Sequence, residues 1–208
     1  MLVNCDQYTP DQLYFLLIQL VIPRPIAWVL SDNGNDTYNL APFSFFNAIT
    51  SHPPVLMLSV GWKDDTTRKD TWINISERNN FVVHIPSVEQ VHDVSNTSAV
   101  LPHGVSEVDK FDILTENIEA WPLPKLKGAK IAFLCEKYAI HEIGKDQQGL
   151  ILGKINSILI DDEAVSQDKG RIIIDPAKIN PLARLGGNHY AQLGDILTVQ
   201  RPDKPKET

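Results

Sequence analysis

The segment TTRKDTWINI, residues 66–75, holds the clearest candidate for a ligand site in this chain of 208 residues. Arg68 and Lys69 stand directly before a predicted helix, which Asp70 would cap, with the Thr71 hydroxyl beside it. A helix N-terminus presents free N–H groups and a partial positive charge. Two adjacent cations therefore favour a phosphate site. An ordinary capped helix with a solvated basic pair is the competing interpretation.

A second candidate is the stretch of residues 37–60, which contains no Asp, Glu, Lys or Arg in a chain that is 22% charged. Hydroxyl and amide side chains interrupt its apolar residues, so the stretch is neutral and still rich in hydrogen-bonding groups. Pro42, Pro53 and Pro54 argue against a membrane span. A neutral wall of this kind suits a flat heterocycle with ring carbonyls and N–H groups, and the phosphate site would suit its tail.

Other features of the sequence exclude several functions. There is no dinucleotide, P-loop or nucleophile-elbow motif, and the six His residues have no metal-ligand spacing, which predicts structural or surface roles for them. The net charge of −7 argues against binding nucleic acid or an anionic membrane surface. Cys5 and Cys135 form no CxxC pair, which fits a reducing compartment such as the cytoplasm. The apolar run 13–22 is too short to span a bilayer.

The elements that would position these residues are mostly strands. Thr9, Pro10 and Gln12 predict the start of a helix, and Asn33-Gly34 predicts a hairpin turn. The segment 53–62 reads as a strand buried on both faces. Further strands are predicted at 81–86, 130–143, 149–160 and 171–175, and helices at 70–80 and 87–95. Because no regular alternation of strands and helices appears, we expect an antiparallel barrel.

The chain resembles a known family. The motif RPIAWVLSDNGNDTYNLAPFSFFNAITSHPP, followed by RKDTWINI and FVVHIP, resembles the flavin reductase-like family, the FMN-binding split barrels that include flavoredoxin. The similarity continues more weakly through GLILGKINSILIDDEAV and ends in LARLGGNHY. The resemblance implies a mainly β fold, an antiparallel six-stranded split β-barrel with a few peripheral helices. It also implies one domain over 1–208, whose tail 200–208 we expect to be flexible, and a homodimer with FMN near the subunit interface.

The resemblance also implies which residues would bind the cofactor and the substrate. Residues expected to border the isoalloxazine or the ribityl chain are Ser44, Phe45, Phe46, Asn47, Thr50, Ser51 and Ser59. Residues expected to hold the phosphate region are Arg68, Lys69, Asp70 and Thr71, with Asp70 acting as the helix cap. Trp28 would lie against the flavin or, equally, in the core. Residues expected around the exposed flavin face, where a substrate would bind, are Arg184, Gly186, Gly187 and Tyr190; a plain turn is the competing interpretation.

The expected function is that of an FMN-binding oxidoreductase of the flavin reductase type. NADH or NADPH would supply a hydride to the flavin, and the protein would supply position, electrostatics and water exclusion. No catalytic side chain and no metal are assigned, and the sequence does not specify the final electron acceptor. The alternatives are an FMN-carrying electron-transfer protein without nicotinamide activity, or a small-molecule binder that kept the barrel without the flavin.

Overall fold

This computed structural model describes residues 1–64, 66–145, 148–200 and 202 of the chain. The predicted flexible tail, 200–208, lies almost entirely outside the described residues. Strands dominate and the helices are few, as the sequence predicts. The helices are α1 (Pro10–Leu20), α2 (Asp70–Arg78), α3 (Val91–Asn96), α4 (Glu107–Lys110) and α5 (Pro176–Ile179).

Most of the regular structure is antiparallel β. The strands are β1 (Arg24–Pro25), β2 (Ala27–Asp32), β3 (Tyr38–Phe43), β4 (Phe46–Ser51), β5 (Pro54–Val60), β6 (Asn80–His84), β7 (Thr115–Glu116), β8 (Lys125–Leu126), β9 (Ile131–Ile143), β10 (Gln148–Ile160), β11 (Val165–Asp168), β12 (Arg171–Ile174), β13 (Ala183–Arg184) and β14 (Tyr190–Ala191). Short single turns of 3-10 helix lie at Cys5–Gln7, Val88–Gln90 and Asp162–Ala164.

The main sheet has seven strands in the order β3-β2-β6-β9-β10-β5-β4, one more than the six expected. β3 and β4 occupy its two edges, although only Ser44 and Phe45 separate them in the sequence. The chain turns sharply at these two residues, so the sheet curls into a barrel that stays open between β3 and β4. The backbone N–H of Ser59 donates to the Phe45 carbonyl over 2.9 Å and holds this corner against β5.

The central strands of the main sheet are buried on both faces. Because side chains alternate along a strand, β2 contributes to two hydrophobic clusters. Trp28 and Leu30 belong to one cluster, whereas Ala27 and Val29 belong to the other, which also contains Trp72 of α2. Burying a large apolar side chain contributes about 1.5–3 kcal/mol, so the two clusters hold the sheet and α2 in one body.

Helix α1 begins as the sequence predicts but packs differently from an ordinary surface helix. The Thr9 hydroxyl accepts from the Gln12 N–H over 3.3 Å, and the Gln12 side-chain oxygen accepts from the Thr9 N–H over 3.0 Å. Pro10 occupies the first helical position. None of the residues of α1 is buried, and Phe15 is 58% exposed. The apolar face of α1 therefore lacks a cover in the single chain.

Candidate functional site

A cavity of about 590 Å³, which we call the main cavity, lies at the open side of the barrel. That volume falls within the range of roughly 300–1,000 Å³ common for cofactor and ligand sites. Its walls come from α1, the link between β1 and β2, the corner between β3 and β4, the end of β5, the residue before α2, α3 with the segment after it, the start of β10, and strands β13 and β14. The lining residues are Tyr14, Ile26, Pro42, Phe43, Ser44, Phe45, Ser59, Gly61, Trp62, Lys69, Val94, Ser98, Gln148, Arg184 and Tyr190.

The cavity brings together six of the residues that the sequence singles out. These residues are Ser44, Phe45, Ser59, Lys69, Arg184 and Tyr190. They come from four separate parts of the chain, and the charge-free stretch 37–60 contributes the neutral side of the wall. Among the described lining residues, the charged side chains are all cationic. The arrangement therefore suits a ligand that is partly planar and carries negative charge.

Neither cation of the cavity has a counter-charge among the described residues, but Arg184 donates to a backbone carbonyl, whereas Lys69 has no hydrogen-bond partner there. The Lys69 side chain is partly enclosed, and this burial lowers the pKa of its ammonium group below the usual value. Among the described residues no carboxylate pairs with it and no acceptor bonds to it; the nearest aromatic face, that of Phe43, lies 5.7 Å from Nζ. An enclosed charge without a partner is costly. An anionic group in the cavity would remove that cost.

Arg68, the neighbour of Lys69, is committed to other contacts. Its guanidinium carbon lies 4.3 Å from the centre of the Trp72 ring and 5.5 Å from that of Trp62. The same guanidinium forms an ion pair with Glu142 of β9. Arg68 does not line the cavity. The structure therefore separates the two adjacent cations that the sequence analysis placed together around a phosphate.

Asp70 does not cap α2, so that expectation was wrong. Lys69 is the N-cap residue, it has no side-chain cap bond, and Asp70 is the first helical residue. The buried Asp70 carboxylate instead bonds to Nδ1 of His103 at 2.6 Å and to Nζ of Lys63 at 3.3 Å. Lys63 and His103 therefore bind this carboxylate in place of the N–H groups at the start of the helix.

A smaller cavity of about 110 Å³ lies beside the main one and shares four lining residues with it, Pro42, Phe43, Lys69 and Ser98. Asp70 and Thr71 line this second cavity. The Thr71 hydroxyl accepts from Nδ2 of Asn39 over 2.8 Å, so it belongs to a buried hydrogen-bond network. Thr71 and Asp70 therefore face the smaller cavity, where their polar groups are hydrogen-bonded within the protein, and not the main cavity.

Glu107 adds a second buried carboxyl group to the smaller cavity. Its Oε2 accepts from the backbone N–H of Leu40 over 3.0 Å. Burial raises the pKa of Glu107, and the Asp70 charge adds to that effect. This pocket carries acidic groups that the wall of the main cavity lacks among its described residues.

Trp28 lies in the core and not on the cavity wall. The side chain is 1% exposed, and its indole N–H donates to the Thr97 hydroxyl over 2.9 Å. The backbone carbonyl of Trp28 lies 3.1 Å from Nδ1 of His84, and Nε2 of His84 accepts from the Leu126 N–H over 3.1 Å. Of the two roles considered for Trp28, the structure favours the core. His84 has the structural role expected for the histidines.

The polar residues of β4 stand away from the main cavity. Asn47, Thr50 and Ser51 are exposed along this edge strand, and Phe46 packs in part against the cluster that contains Trp72. None of these four β4 residues lines either cavity. These residues can contact only a ligand, or a second chain, that lies over the sheet edge.

The segment LARLGGNHY forms one rim of the cavity through Arg184 and Tyr190. The Arg184 guanidinium stacks on the Tyr190 ring at 4.4 Å and donates to the Gly187 carbonyl over 2.6 Å. Gly187 has a φ of +59°, a left-handed conformation that glycine adopts without strain. Gly186 packs against Gln19 of α1, where an added Cβ would lie 2.5 Å from that side chain. The two glycines therefore shape the rim, and only the arginine and the tyrosine face the cavity.

Sequence reasoning missed three residues that shape the site. Tyr14 reaches the cavity from α1 and lies 6.1 Å from the Phe45 ring. Arg24 is buried and bonds to Ser44 over 3.2 Å, and Gln148 bonds to Ser59 over 3.0 Å. The arginine stands in the quoted RPIAW motif, so its position was a usable signal. Nothing local in the sequence marks the tyrosine or the glutamine.

The described residues contain no group of three or more His, Cys, Asp or Glu side chains arranged to hold a metal ion. None of the helices within the described ranges is long and apolar enough to cross a bilayer.

Comparisons with known proteins bear on the fold and the family. The model of the flavin reductase like domain matches residues 20–182. The uncharacterized protein YwrF of Bacillus subtilis is 35% identical over 204 residues, which cover 96% of this chain and 98% of YwrF. The crystal structure of nitrilotriacetate monooxygenase component B from Bacillus cereus is 30% identical with a TM-score of 0.87, and the match covers 96% of this chain and 98% of that one.

The fold itself is that of a split barrel. A split-barrel protein of the flavin reductase type from Shewanella frigidimarina NCIMB 400 superposes with a TM-score of 0.83 at 16% identity. That match covers 97% of this chain and 100% of the other. The expectation of a mainly β split barrel with few helices is therefore confirmed, with a seven-stranded main sheet in place of six strands.

Proposed function

The chain belongs to the flavin reductase-like family, and from this premise we propose that it is a single-domain FMN-binding oxidoreductase that takes a hydride from NADH or NADPH. The flavin would occupy the main cavity. Its phosphate would lie at Lys69 and its ring system along the neutral wall. The protein would work as a homodimer in the reducing cytoplasm, where Cys5 and Cys135, both free thiols, would stay reduced.

The unpaired ammonium group of Lys69 is the observation that carries this proposal. It lines a cavity that contains no carboxylate among its described lining residues, and burial already lowers its pKa. A phosphate is the anion that would accept several hydrogen bonds from such a group. The aromatic side chains of Tyr14 and Phe45 offer the apolar contact that a planar ring needs.

The remaining chemistry divides between cofactor and protein. A bound flavin supplies the hydride-accepting ring. The chain supplies Lys69 against the phosphate charge, hydroxyl groups along the wall, and Arg184 at the rim as a cation that would favour extra negative charge on the ligand. The chain has no dinucleotide motif, so the nicotinamide would dock at the open mouth of the cavity with modest affinity.

A second copy of the chain would supply the cover that α1 lacks. The helix carries exposed apolar residues along its length, among them Tyr14, Phe15 and Leu20 at 58%, 58% and 66% exposure. Surfaces of this kind mark contact sites when they are contiguous. Tyr14 belongs both to this surface and to the cavity wall. A homodimer formed there would close the cavity, and sedimentation should give about twice the 23.3 kDa chain mass.

The affinity for FMN, compared with that for riboflavin, tests the site. Lys69→Met should weaken FMN binding to the apoprotein by at least about tenfold, because one charge-assisted hydrogen bond contributes about 1.5–3 kcal/mol. Riboflavin has no phosphate, so its affinity should change less than about twofold. Arg68→Met is the matched control, since its guanidinium is held by Trp62, Trp72 and Glu142. Equal losses for FMN and riboflavin would place the phosphate elsewhere.

Anaerobic reduction tests the activity. NADH or NADPH at millimolar concentration should bleach the long-wavelength absorbance of the bound flavin. Dithionite serves as the control that shows the flavin is reducible. A flavin that dithionite reduces and neither nicotinamide reduces would contradict the reductase proposal. The electron-transfer alternative, in which a protein partner donates the electrons, would then replace it.

A further inference from the structure

Arg24 is a buried cation whose hydrogen bonds all go to groups around the main cavity. It is 4% exposed, and burial lowers the pKa of its guanidinium, which nevertheless stays charged. Its terminal N–H groups donate to the carbonyl oxygens of Ile18, Val21 and Leu185. Its Nε donates to the hydroxyl oxygen of Ser44 over 3.2 Å. One side chain thus joins the end of α1, the β13–β14 turn and the corner between β3 and β4.

The contact with Arg24 sets the role of the Ser44 hydroxyl oxygen. A guanidinium has five donors and no acceptor, so the Ser44 oxygen must accept in this bond. The Ser44 hydroxyl hydrogen takes no part in this bond. Among the described residues nothing accepts it, and Ser44 lines the main cavity. This hydrogen is therefore available to an acceptor atom inside the cavity.

Ser59, on the opposite side of the corner, has the same arrangement with a different partner. Nε2 of Gln148 donates to the Ser59 hydroxyl oxygen over 3.0 Å, and within the described ranges no acceptor takes the Ser59 hydroxyl hydrogen. A Cβ at Gly61 would lie 3.2 Å from Oε1 of Gln148, closer than about nine in ten real Cβ contacts. The absence of a side chain at Gly61 therefore leaves room for the amide that orients Ser59.

From these contacts we infer that Arg24 and Gln148 are positioning residues that set the Ser44 and Ser59 hydroxyls as hydrogen-bond donors to the cavity ligand. The inference rests on the proposed function, because the ligand is taken to be a flavin. Together with Lys69 and Arg184, the two hydroxyls make the polar part of this wall predominantly donating. Such a wall selects a ligand whose facing edge is rich in acceptors, such as ring carbonyls and ring nitrogens.

The hydrogen bonds donated by the Ser44 and Ser59 hydroxyls should shift the redox equilibrium of the bound flavin. Hydrogen bonds to a charged acceptor are roughly twice as strong as those to a neutral one. A reduced ring that carries extra negative charge should therefore gain more from the two hydroxyls than the oxidised ring does. Removing or reversing a hydroxyl should weaken binding of the reduced flavin more than that of the oxidised flavin, and so lower the midpoint potential.

Gln148→Glu is the variant that reverses one hydroxyl with little change in shape. A glutamate oxygen in place of Nε2 would accept from Ser59 and turn its hydrogen away from the cavity. With riboflavin as the ligand, which removes any phosphate effect, the Kd of the reduced form should rise about tenfold more than that of the oxidised form. For a two-electron couple that ratio corresponds to a shift of about 30 mV to more negative potential.

The double variant separates the hydroxyl from the added charge. In a Ser59→Ala background, Gln148→Glu has no hydroxyl to reverse, so most of the shift in potential should disappear. A shift of the same size in both backgrounds would overturn the inference, because the glutamate charge would then act directly on the flavin. Thermal melts of each apoprotein check that the variants fold.

The Arg24 half of the inference needs a variant that keeps the buried charge. Arg24→Lys retains the cation but loses the fork that reaches three carbonyls and Ser44 together. Its effect on the midpoint potential should be non-additive with that of Ser44→Ala, whereas additive effects would overturn the role assigned to Arg24.

A wild-type protein that binds neither riboflavin nor FMN would overturn the proposed function itself and this inference with it. Normal flavin binding with unshifted potentials would overturn the inference alone.

Discussion

Two neighbouring groups of polar side chains differ in how completely their atoms are paired. The paired cluster, Lys63, Asp70 and His103, lies at the start of α2 beside the smaller cavity, and its buried carboxylate has two partners. The unpaired group, Lys69 with the Ser44 and Ser59 hydroxyl hydrogens, faces the main cavity and has no protein partner among the described residues. The chain passes from one group to the other between residues 69 and 70.

The difference shows which polar groups serve the fold and which await a ligand. Buried polar atoms in proteins are nearly always hydrogen-bonded, so an enclosed group without a partner needs an explanation. Asp70 satisfies the rule inside the chain and therefore contributes to stability. Lys69 is only partly enclosed and has no protein partner among the described residues, and at the wall of a cavity a ligand would provide one. Three predictions test this distinction, in order of decreasing effect.

Removing the shared carboxylate of the paired cluster should have the largest effect. Asp70→Ala should lower the free energy of unfolding by about 3 kcal/mol, because it leaves Lys63 enclosed without its partner. Urea denaturation of the apoprotein measures the change. Asp168→Ala, at an exposed carboxylate on β11, is the control and should change stability by less than about 0.5 kcal/mol. Equal, small losses at both positions would remove the contrast between the two groups.

His84 is a buried group whose pairing depends on its charge, so acid should break it. Burial lowers the pKa of His84 from 6.5 to about 4, with the charge of Lys125 a smaller contribution. The unfolded chain therefore takes up a proton before the folded chain does. The contribution of His84 to the free energy of unfolding is therefore fully present above pH 6.5 and is lost as the pH drops toward 4. Between pH 7 and pH 5 the loss attributable to this group should be about 2 kcal/mol.

The control for this pH dependence is His84→Asn, which has no proton to gain in this range. Its unfolding free energy should be lower at pH 7, because an asparagine does not reach both the Trp28 carbonyl and the Leu126 N–H. The part of the pH dependence that comes from His84 should be absent. A variant that keeps the full wild-type slope between pH 7 and pH 5 would assign the slope to other groups.

Removing the unpaired cation should have the smallest effect on stability, and in the opposite direction. Lys69→Met should raise the unfolding free energy of the apoprotein by about 1 kcal/mol, because it replaces an enclosed charge with an apolar side chain. Saturating FMN should reverse the order of the two proteins, since a ligand stabilises the form that binds it. Lys63→Met is the matched control and should destabilise. A destabilised Lys69→Met apoprotein would mean that this ammonium group has a structural partner.

The sequence analysis named all three residues of the unpaired group and one residue, Asp70, of the paired cluster. It placed Arg68, Lys69, Asp70 and Thr71 around one phosphate because they are consecutive and precede a helix. In the structure only Lys69 lines the main cavity. Arg68 lies against two tryptophans and pairs with Glu142, a residue 74 positions away, and no local pattern marks such a partner.

The sequence by itself determined the elements and the family. The capping box at Thr9 and Gln12, the hairpin at Asn33-Gly34 and the long runs of β-branched residues specify helix, turn and strand through contacts between near neighbours. The charge-free stretch 37–60 marked the neutral wall for the same reason, since composition is visible without a fold.

Only the tertiary structure decided which side chains face the cavity and which are paired. Tyr14, Arg24 and Gln148 reach the site from α1, β1 and β10, and each acts on a residue far from it in sequence. Whether a cation is paired with a carboxylate, and which donor a hydroxyl oxygen accepts from, depends on partners that the folded sheet brings together. Those pairings are long-range, so rules that relate a residue to its sequence neighbours do not contain them.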